Sequence, residues 1–157
     1  MTTFGAIEQD LILAEDDLFI VARDKFPVSP GHTLVIVRRV VSRFLDLTAE
    51  EKTRLLRWID WSVAHLQNTL NPRPDGFNIG LNDGPAAGQT IAQLHVHIIP
   101  RYRGDIPDPR GGVRHVIPQK AKYWSDDMTA DLHDPVHLRE DRVSLRQDGQ
   151  HDHVIRS

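Results

Sequence analysis

A segment of alternating polar and apolar residues, QLHVHII at 93–99, constrains the fold of this chain most strongly. The polar members are Gln93, His95 and His97, and the apolar members are Leu94, Val96 and Ile98. Successive side chains of a β-strand point to opposite faces, so the pattern predicts a strand with a glutamine and two imidazoles on one face. Its apolar face needs a core behind it, which requires a sheet with one buried side.

Three other segments predict the rest of this sheet. Short β-rich segments at 18–23 and 33–38 flank a turn that contains two prolines and one glycine, and they predict an antiparallel pair. A third is predicted at 76–82, and the strand that contains the histidine segment is predicted to extend over 90–100. The loop between them, DGPAAGQ, is rich in glycine and alanine, so its backbone can approach a ligand closely.

One long helix is predicted over residues 48–71. Thr48 and Glu51 form a capping box at its start, and Pro72 ends it by disfavouring the helical conformation of Asn71. Its apolar stripe, widened by Trp58 and Trp61, consists of Leu55, Ile59, Val63, Leu66 and Leu70. The expected fold class is therefore α+β, an antiparallel sheet of about five strands with one long helix packed on it.

Composition narrows the function classes. A length of 157 residues suits one compact domain, and a net charge of −3 gives no broad attraction to nucleic acid or to an anionic membrane. With no cysteine, thiolate zinc sites and cysteine nucleophiles are excluded. No apolar segment is long enough to span a bilayer, and we expect a cytoplasmic protein. Residues 1–124 form the expected domain, and 125–157 a polar C-terminal extension of unknown role.

Three interpretations of the histidine row are open. The histidines can be ordinary strand residues, they can bind zinc or iron together with His32, or one can be a nucleophile that the other assists. Against a metal, no carboxylate lies in the same row, and glutamine is a poor transition-metal ligand. His151 and His153 have the same spacing without apolar partners, so spacing alone does not choose between the interpretations.

The surrounding motifs resemble those of a known family. GQTIAQLHVHIIPR at 88–101 is similar to the signature of the histidine triad (HIT) superfamily, an alternating histidine strand that follows a G-Q-[ST] turn. PGHTLVIV at 30–37, RFLDLTAEE at 43–51 and NDGPAAGQT at 82–90 resemble three more of its segments. These matches cover most of residues 18–105 in the family's order, and they favour the nucleophile interpretation.

The resemblance implies roles for the three histidines. His95 corresponds to the family's nucleophile, and His97 to the histidine that hydrogen-bonds the scissile phosphate and the leaving group. His32 corresponds to the histidine that supports this row. A neutral imidazole is a good nucleophile near pH 7, provided that its Nδ1–H is tied to a backbone carbonyl so that Nε2 is free to attack phosphorus.

The resemblance also implies a set of substrate-binding residues. Asn82, Gln89 and Thr90 correspond to donors on the phosphate side, and Asp24 to the residue that reaches the ribose hydroxyls. Gln93 is the departure, because the common pattern has a first histidine there. Glutamine keeps a donor and an acceptor but cannot take up a proton, so the rate, the pH profile and the substrate are what this exchange affects.

Among the family's branches, the chain is most similar to the dinucleoside polyphosphate hydrolases. The implied activity is hydrolysis of a purine dinucleoside polyphosphate through a nucleotidyl-histidine intermediate. Phosphoramidate hydrolysis, nucleotidyl transfer and a nucleotide-binding module with little turnover are the alternatives. No cofactor or metal is required, although magnesium can accompany a polyphosphate. The expected partners are a purine nucleotide and a second copy of the chain in a homodimer, with neither nucleic acid nor membrane.

Overall fold

The computed structural model describes residues 3–124. The chain divides into two units, Met1–Ala121 and Lys122–Ser157. Every strand and helix given below lies in the first unit. Of the second unit, residues 122–124 are described, so the extension predicted at 125–157 lies outside the described residues, together with His151 and His153. Within the described part, no helix is long and apolar enough to cross a membrane.

The described part contains a five-stranded sheet and one long helix, as the sequence predicts. The strands are β1 (Ile12–Glu15), β2 (Phe19–Arg23), β3 (Thr33–Val37), β4 (Gly76–Gly80) and β5 (His95–Arg101), and the helix is α1 (Ala49–Thr69). The order across the sheet is β1-β2-β3-β5-β4, and all neighbouring pairs are antiparallel. The predicted α+β class is confirmed.

The sheet differs from the prediction in the start of β5 and in the presence of β1. β5 begins at His95 rather than at residue 90, so Gln93 precedes the strand and does not share the alternation of its faces. The segment before β5 is held instead by the backbone of Leu94, whose N–H donates to the Val41 carbonyl at 2.7 Å and whose carbonyl accepts from the Val37 amide at 3.1 Å. The strand β1 has no counterpart among the strands located from sequence, because LILAE carries little polar alternation.

The helix packs its apolar stripe against one face of the sheet. Leu55 and Leu66 are buried in the core, and Ile59, Val63 and Leu70 pack against it. The strands contribute Phe19, Val21, Val35, Val37, Val96 and Ile98 to the same core. The apolar side of β5 therefore faces the helix, and its histidine side faces away.

Glu51 ties the start of α1 to the end of β3. Its carboxylate accepts from the Thr48 backbone at 2.8 Å, which completes the predicted capping box, and it receives two hydrogen bonds from the guanidinium of Arg39. The Arg39 hydrogen bonds, supported by those of Thr48, lower the pKa of Glu51 to about 2 although burial opposes them. A charge this deeply placed is stabilised only because every oxygen has a donor.

Gly31 is required where the chain turns into β3. Its φ is +85°, and a Cβ there would overlap the side chain of Leu70 and lie 3.3 Å from that of Pro100. We expect Gly31→Ala to lower the free energy of unfolding by about 1–3 kcal/mol, since the change adds both backbone strain and crowding. Urea unfolding measures this change. Gly76→Ala is the control, since its Cβ meets nothing within 4 Å; an equal loss there would contradict the explanation.

Candidate active site

His95 opens β5 with its ring fixed by the main chain. Its Nδ1 lies 2.8 Å from the carbonyl oxygen of Gln93. A carbonyl can only accept, so Nδ1 carries the proton, and Nε2 keeps an unshared electron pair. The imidazole is thus held in the tautomer that a nucleophilic attack on phosphorus needs.

The side chain of Gln93 helps to fix the carbonyl that holds the His95 ring. It is buried, and its amide nitrogen donates to the carbonyls of Val37 at 2.6 Å and Arg38 at 3.3 Å. These bonds tie Gln93, two residues before β5, to the end of β3 and thereby fix the carbonyl that accepts from His95. The sequence pattern predicts that Gln93 lies in one row with the two histidines. In the structure, its buried side chain lies behind them instead.

His97 and His32 form a hydrogen-bonded pair next to His95. The Nε2 of His32 lies 3.0 Å from the Nδ1 of His97, and the backbone amide of Val28 donates to the Nδ1 of His32 at 3.4 Å. With Nδ1 accepting, His32 carries its proton on Nε2 and donates it to His97. His97 then carries its own proton on Nε2, where it can be donated to a substrate oxygen.

Burial keeps this pair uncharged at neutral pH. It lowers the pKa of His97 to about 4, with further lowering by the nearby His95 and His32. Burial also lowers the pKa of His32, although the Asp24 carboxylate, 3.4 Å from its Nδ1, acts in the opposite direction. His97 is therefore a neutral hydrogen-bond donor in the folded protein.

A cavity of about 450 Å³ lies over the histidine face of the sheet. His95, His97, His32, Asp24 and Thr90, all predicted site residues, line it. Much of the remaining wall is apolar and comes from Phe4, Ile7, Leu11, Ala22, Leu34, Ile36 and Ile91. The cavity therefore joins reactive imidazoles to a surface on which a flat ring can be buried.

The segment before β1 is the part of this site that the sequence prediction missed. The ring of Phe4 meets that of His95 edge-on at 5.0 Å between centroids, and Glu8 accepts from Lys25 at 2.7 Å across the cavity mouth. Apolar residues at 4, 7 and 11 are the only sequence signal here, and they have no motif around them.

The two remaining predicted donors, Asn82 and Gln89, belong to the glycine-rich loop between β4 and β5. Gln89 is buried, accepts from the backbone amide of Gly84 at 3.0 Å and donates to the carbonyl of Ser42 at 2.9 Å. Its side chain thus holds the loop in shape. Asn82 is half-buried at the start of the loop and is outside the set that lines the cavity.

Comparison with known proteins places this arrangement in a family. Residues 6–104, which include the histidines, Asp24 and the glycine-rich loop, match the HIT domain. The chain belongs to the HIT family. The expected resemblance is thereby confirmed, and it covers every strand and the long helix.

Named relatives of this HIT domain act on dinucleoside polyphosphates. It is 38% identical over 99 residues to the "AP-4-A phosphorylase" of Mycobacterium tuberculosis, covering 62% of this chain and 50% of that protein. It is 38% identical over 108 residues to the "Bis(5'-adenosyl)-triphosphatase" of Dictyostelium discoideum, covering 66% of this chain and 70% of that protein. It thus spans about half the length of the first of these relatives.

A solved structure shares the fold. The NitFhit protein of C. elegans superposes with a TM-score of 0.62 and is 31% identical, over 77% of this chain and 28% of that one. This agrees with the five-stranded sheet and the single long helix described above.

Three side chains of the HIT domain could hold a metal ion. Ligand atoms of Asp24, His32 and His97 all lie within 4.8 Å of one another. The histidine row of β5 itself has no carboxylate, as the sequence argument states, but Asp24 brings one to the pair from the loop after β2. Two imidazoles and one carboxylate suit zinc, whereas magnesium prefers oxygen ligands.

The buried pair predicts a pH dependence of stability. A histidine near its ordinary pKa of about 6.5 when unfolded and near 4 when folded takes up a proton on unfolding. The stabilisation is fully present above pH ~6.5 and is lost as the pH falls toward 4, with a slope of at most about 1.4 kcal/mol per pH unit for His97. Urea unfolding from pH 7.5 to 4.5, with chelator present, measures it.

The matched variants are His97→Gln and His65→Gln. The first removes the buried titrating ring and should flatten the pH dependence. The second changes a partly exposed histidine on α1, which stacks on Trp61, and should leave it as in the wild type. Equal slopes for all three proteins would show that His97 is not the titrating group.

Proposed function

We propose that this HIT domain hydrolyses a purine dinucleoside polyphosphate at its α-phosphate, through a nucleotidyl-histidine intermediate on His95. The observation that carries the proposal is the bond from His95 Nδ1 to the Gln93 carbonyl, which leaves Nε2 free at the wall of a cavity of ligand size. The names of the relatives support the substrate class.

The cavity accommodates one nucleotide half of such a substrate in a definite direction. The apolar wall around Phe4, Ile7 and Leu34 takes the base, and the Asp24 carboxylate accepts from the ribose hydroxyls. Thr90 then lies on the phosphate side. Asn82, Gln89 and Gln93 remain assigned by resemblance alone, and the bonds of Gln89 and Gln93 favour a role in supporting the site.

The reaction has two displacement steps. The electron pair on His95 Nε2 forms a bond to the α-phosphorus, and the phosphorus–oxygen bond to the rest of the substrate breaks. The departing oxygen takes the negative charge, which the Nε2–H of His97 stabilises by a hydrogen bond. Water then attacks the same phosphorus, the nitrogen–phosphorus bond breaks, and one water proton goes to solvent as the nucleoside monophosphate leaves.

The neutral state of His97 favours an anhydride over a phosphoramidate. A phosphate oxygen departs as a stable anion and needs only a hydrogen bond. An amine leaving group needs a proton, and a group with a pKa of about 4 holds no spare proton at neutral pH. Phosphoramidate hydrolysis is therefore the second candidate.

The proposal also covers the oligomeric state, the location and the use of magnesium. A homodimer is implied by the family resemblance, and β4, which has a sheet neighbour on one side only among the described residues, offers an edge for it. A cytoplasmic location agrees with the absence of cysteine. Magnesium, if used, would come with the polyphosphate, since the site's nitrogen ligands suit it poorly.

The test is a substrate panel with the wild-type protein. Diadenosine triphosphate, diadenosine tetraphosphate and AMP phosphoramidate are incubated with it and the products are resolved by chromatography. We expect AMP from the dinucleotides and, after acid-free quenching, an acid-labile AMP adduct on the protein. Tight AMP binding with no adduct from any substrate would instead identify a nucleotide-binding module.

A further inference from the structure

A second cavity, of about 400 Å³, lies on the same face of the sheet. Its wall includes Val28, Asn78, Ile99, Arg101, Ile106 and His115. The volume falls within the range of small-molecule sites, about 300–1,000 Å³. Nothing in the mechanism described above uses these side chains.

The second cavity lies farther along the same face of β5 as the histidines. Along β5 the residues on the open face are His95, His97, Ile99 and Arg101, of which the first two line the reaction cavity and the last two the second cavity. Same-face neighbours on a strand are about 7 Å apart. Val28 lines both cavities, so they are adjacent and share a wall.

The β4 side of the sheet leaves open space beside His97, at Gly80. Gly80 is the partner of His97 across the sheet, so it lies on the same face. A Cβ at Gly80 would meet nothing within 4 Å. The leaving phosphate chain, whose first oxygen lies next to His97, can therefore extend over Gly80 toward Asn78 and Ile99.

The chemistry of the second cavity suits an uncharged group. The guanidinium of Arg101 binds both carboxylate oxygens of Asp105, at 2.7 and 2.8 Å, and the Asn78 side chain at 2.5 Å, so its charge is already balanced. Val28, Ile99 and Ile106 add apolar surface beside it. Such a wall favours a neutral ring over a phosphate.

His115 adds a hydrogen-bond acceptor to this wall. Its Nε2 lies 3.0 Å from the carbonyl oxygen of Arg110, so Nε2 is the protonated nitrogen. Nδ1 then keeps an electron pair that can accept from a ring amino group or a sugar hydroxyl.

We propose that the second cavity binds the departing nucleoside of a dinucleoside polyphosphate, while the first nucleotide occupies the histidine cavity. This inference rests on the proposed function. The two cavities hold the two nucleosides, and the phosphate chain crosses Gly80 between them. Recognition of the second nucleoside makes the dinucleotide a better substrate than a nucleotide with the same number of phosphates.

The experiment compares diadenosine tetraphosphate with adenosine tetraphosphate, which lacks only the second nucleoside. Ile106→Trp fills the second cavity, and Ile117→Trp makes the same change at an exposed isoleucine outside that cavity's lining. We expect Ile106→Trp to lower kcat/KM for diadenosine tetraphosphate at least tenfold, about 1.4 kcal/mol, and to leave adenosine tetraphosphate within about twofold. Ile117→Trp should change neither value.

The outcomes separate this inference from the proposed function. Wild-type protein that hydrolyses neither compound contradicts the function itself. Wild-type protein that hydrolyses both equally well, or an Ile106→Trp variant that keeps its preference for the dinucleotide, overturns the second site alone. If Ile106→Trp does not fold, His115→Ala removes the acceptor from the same wall and should lower kcat/KM for the dinucleotide alone; an unchanged preference for the dinucleotide would then overturn the second site.

Discussion

Replacement of His95 by alanine is expected to abolish turnover of a dinucleoside polyphosphate, with a loss of at least about 10⁴-fold in kcat. The reason is that Nε2 of this ring is the atom that bonds to phosphorus, and its free electron pair follows from the Nδ1 bond to the Gln93 carbonyl. The AMP adduct seen with the wild type should disappear as well. Steady-state kinetics and the quenched-adduct assay measure the two effects on the same samples.

Nucleotide affinity separates a chemical role of His95 from a structural one. AMP should still bind to His95→Ala, because the apolar wall and Asp24 are untouched, and calorimetry measures this. His65→Ala is the matched control, since this histidine lies on α1 and is not among the residues that line the cavity. Retained turnover in His95→Ala would show that another group attacks the substrate.

Replacement of His97 by leucine should slow the reaction by about 10²–10³-fold in kcat, the usual effect of one lost donor to a developing charge. His97→Gln keeps an N–H at a similar reach and should recover part of the rate. The loss should also shrink with a better leaving group. The p-nitrophenyl ester of AMP tests this, because less charge then needs stabilisation on the departing oxygen.

A purely structural role for His97 would give a different result. Its ring is bonded to His32, so leucine leaves a buried nitrogen without its partner and lowers stability too. Thermal unfolding of both variants records that part. Equal losses with the anhydride and with the nitrophenyl ester, and no recovery in His97→Gln, would contradict a hydrogen bond to the leaving group.

The sequence predicts the scaffold of this site well because the signals are local. The alternation after residue 94 fixes which face of β5 carries His95 and His97, and the capping box with Pro72 fixes the limits of α1. Motif order then adds His32, which immediately precedes the neighbouring strand β3 and meets His97 only in the folded chain. Periodicity alone could not have paired them.

The parts that the sequence does not predict depend on contacts between distant segments. Phe4 reaches the ring of His95 from far along the chain, and no pattern around it indicates this contact. The strand limit at His95 depends on bonds between the preceding segment and the end of β3, which override the alternation at Gln93. Asp24 lies close to His32 only because the chain turns back between β2 and β3.

The Glu51–Arg39 ion pair has a consequence for experiments in acid. Hydrogen bonds from Arg39 lower the pKa of Glu51 to about 2, so the junction between the helix start and the end of β3 keeps its charge in mild acid. That junction adjoins the carbonyls of Val37 and Arg38, which hold Gln93 and through it the reactive ring. Activity lost in mild acid should therefore not come from protonation of Glu51, because the residues that position His95 keep this ion pair over that range.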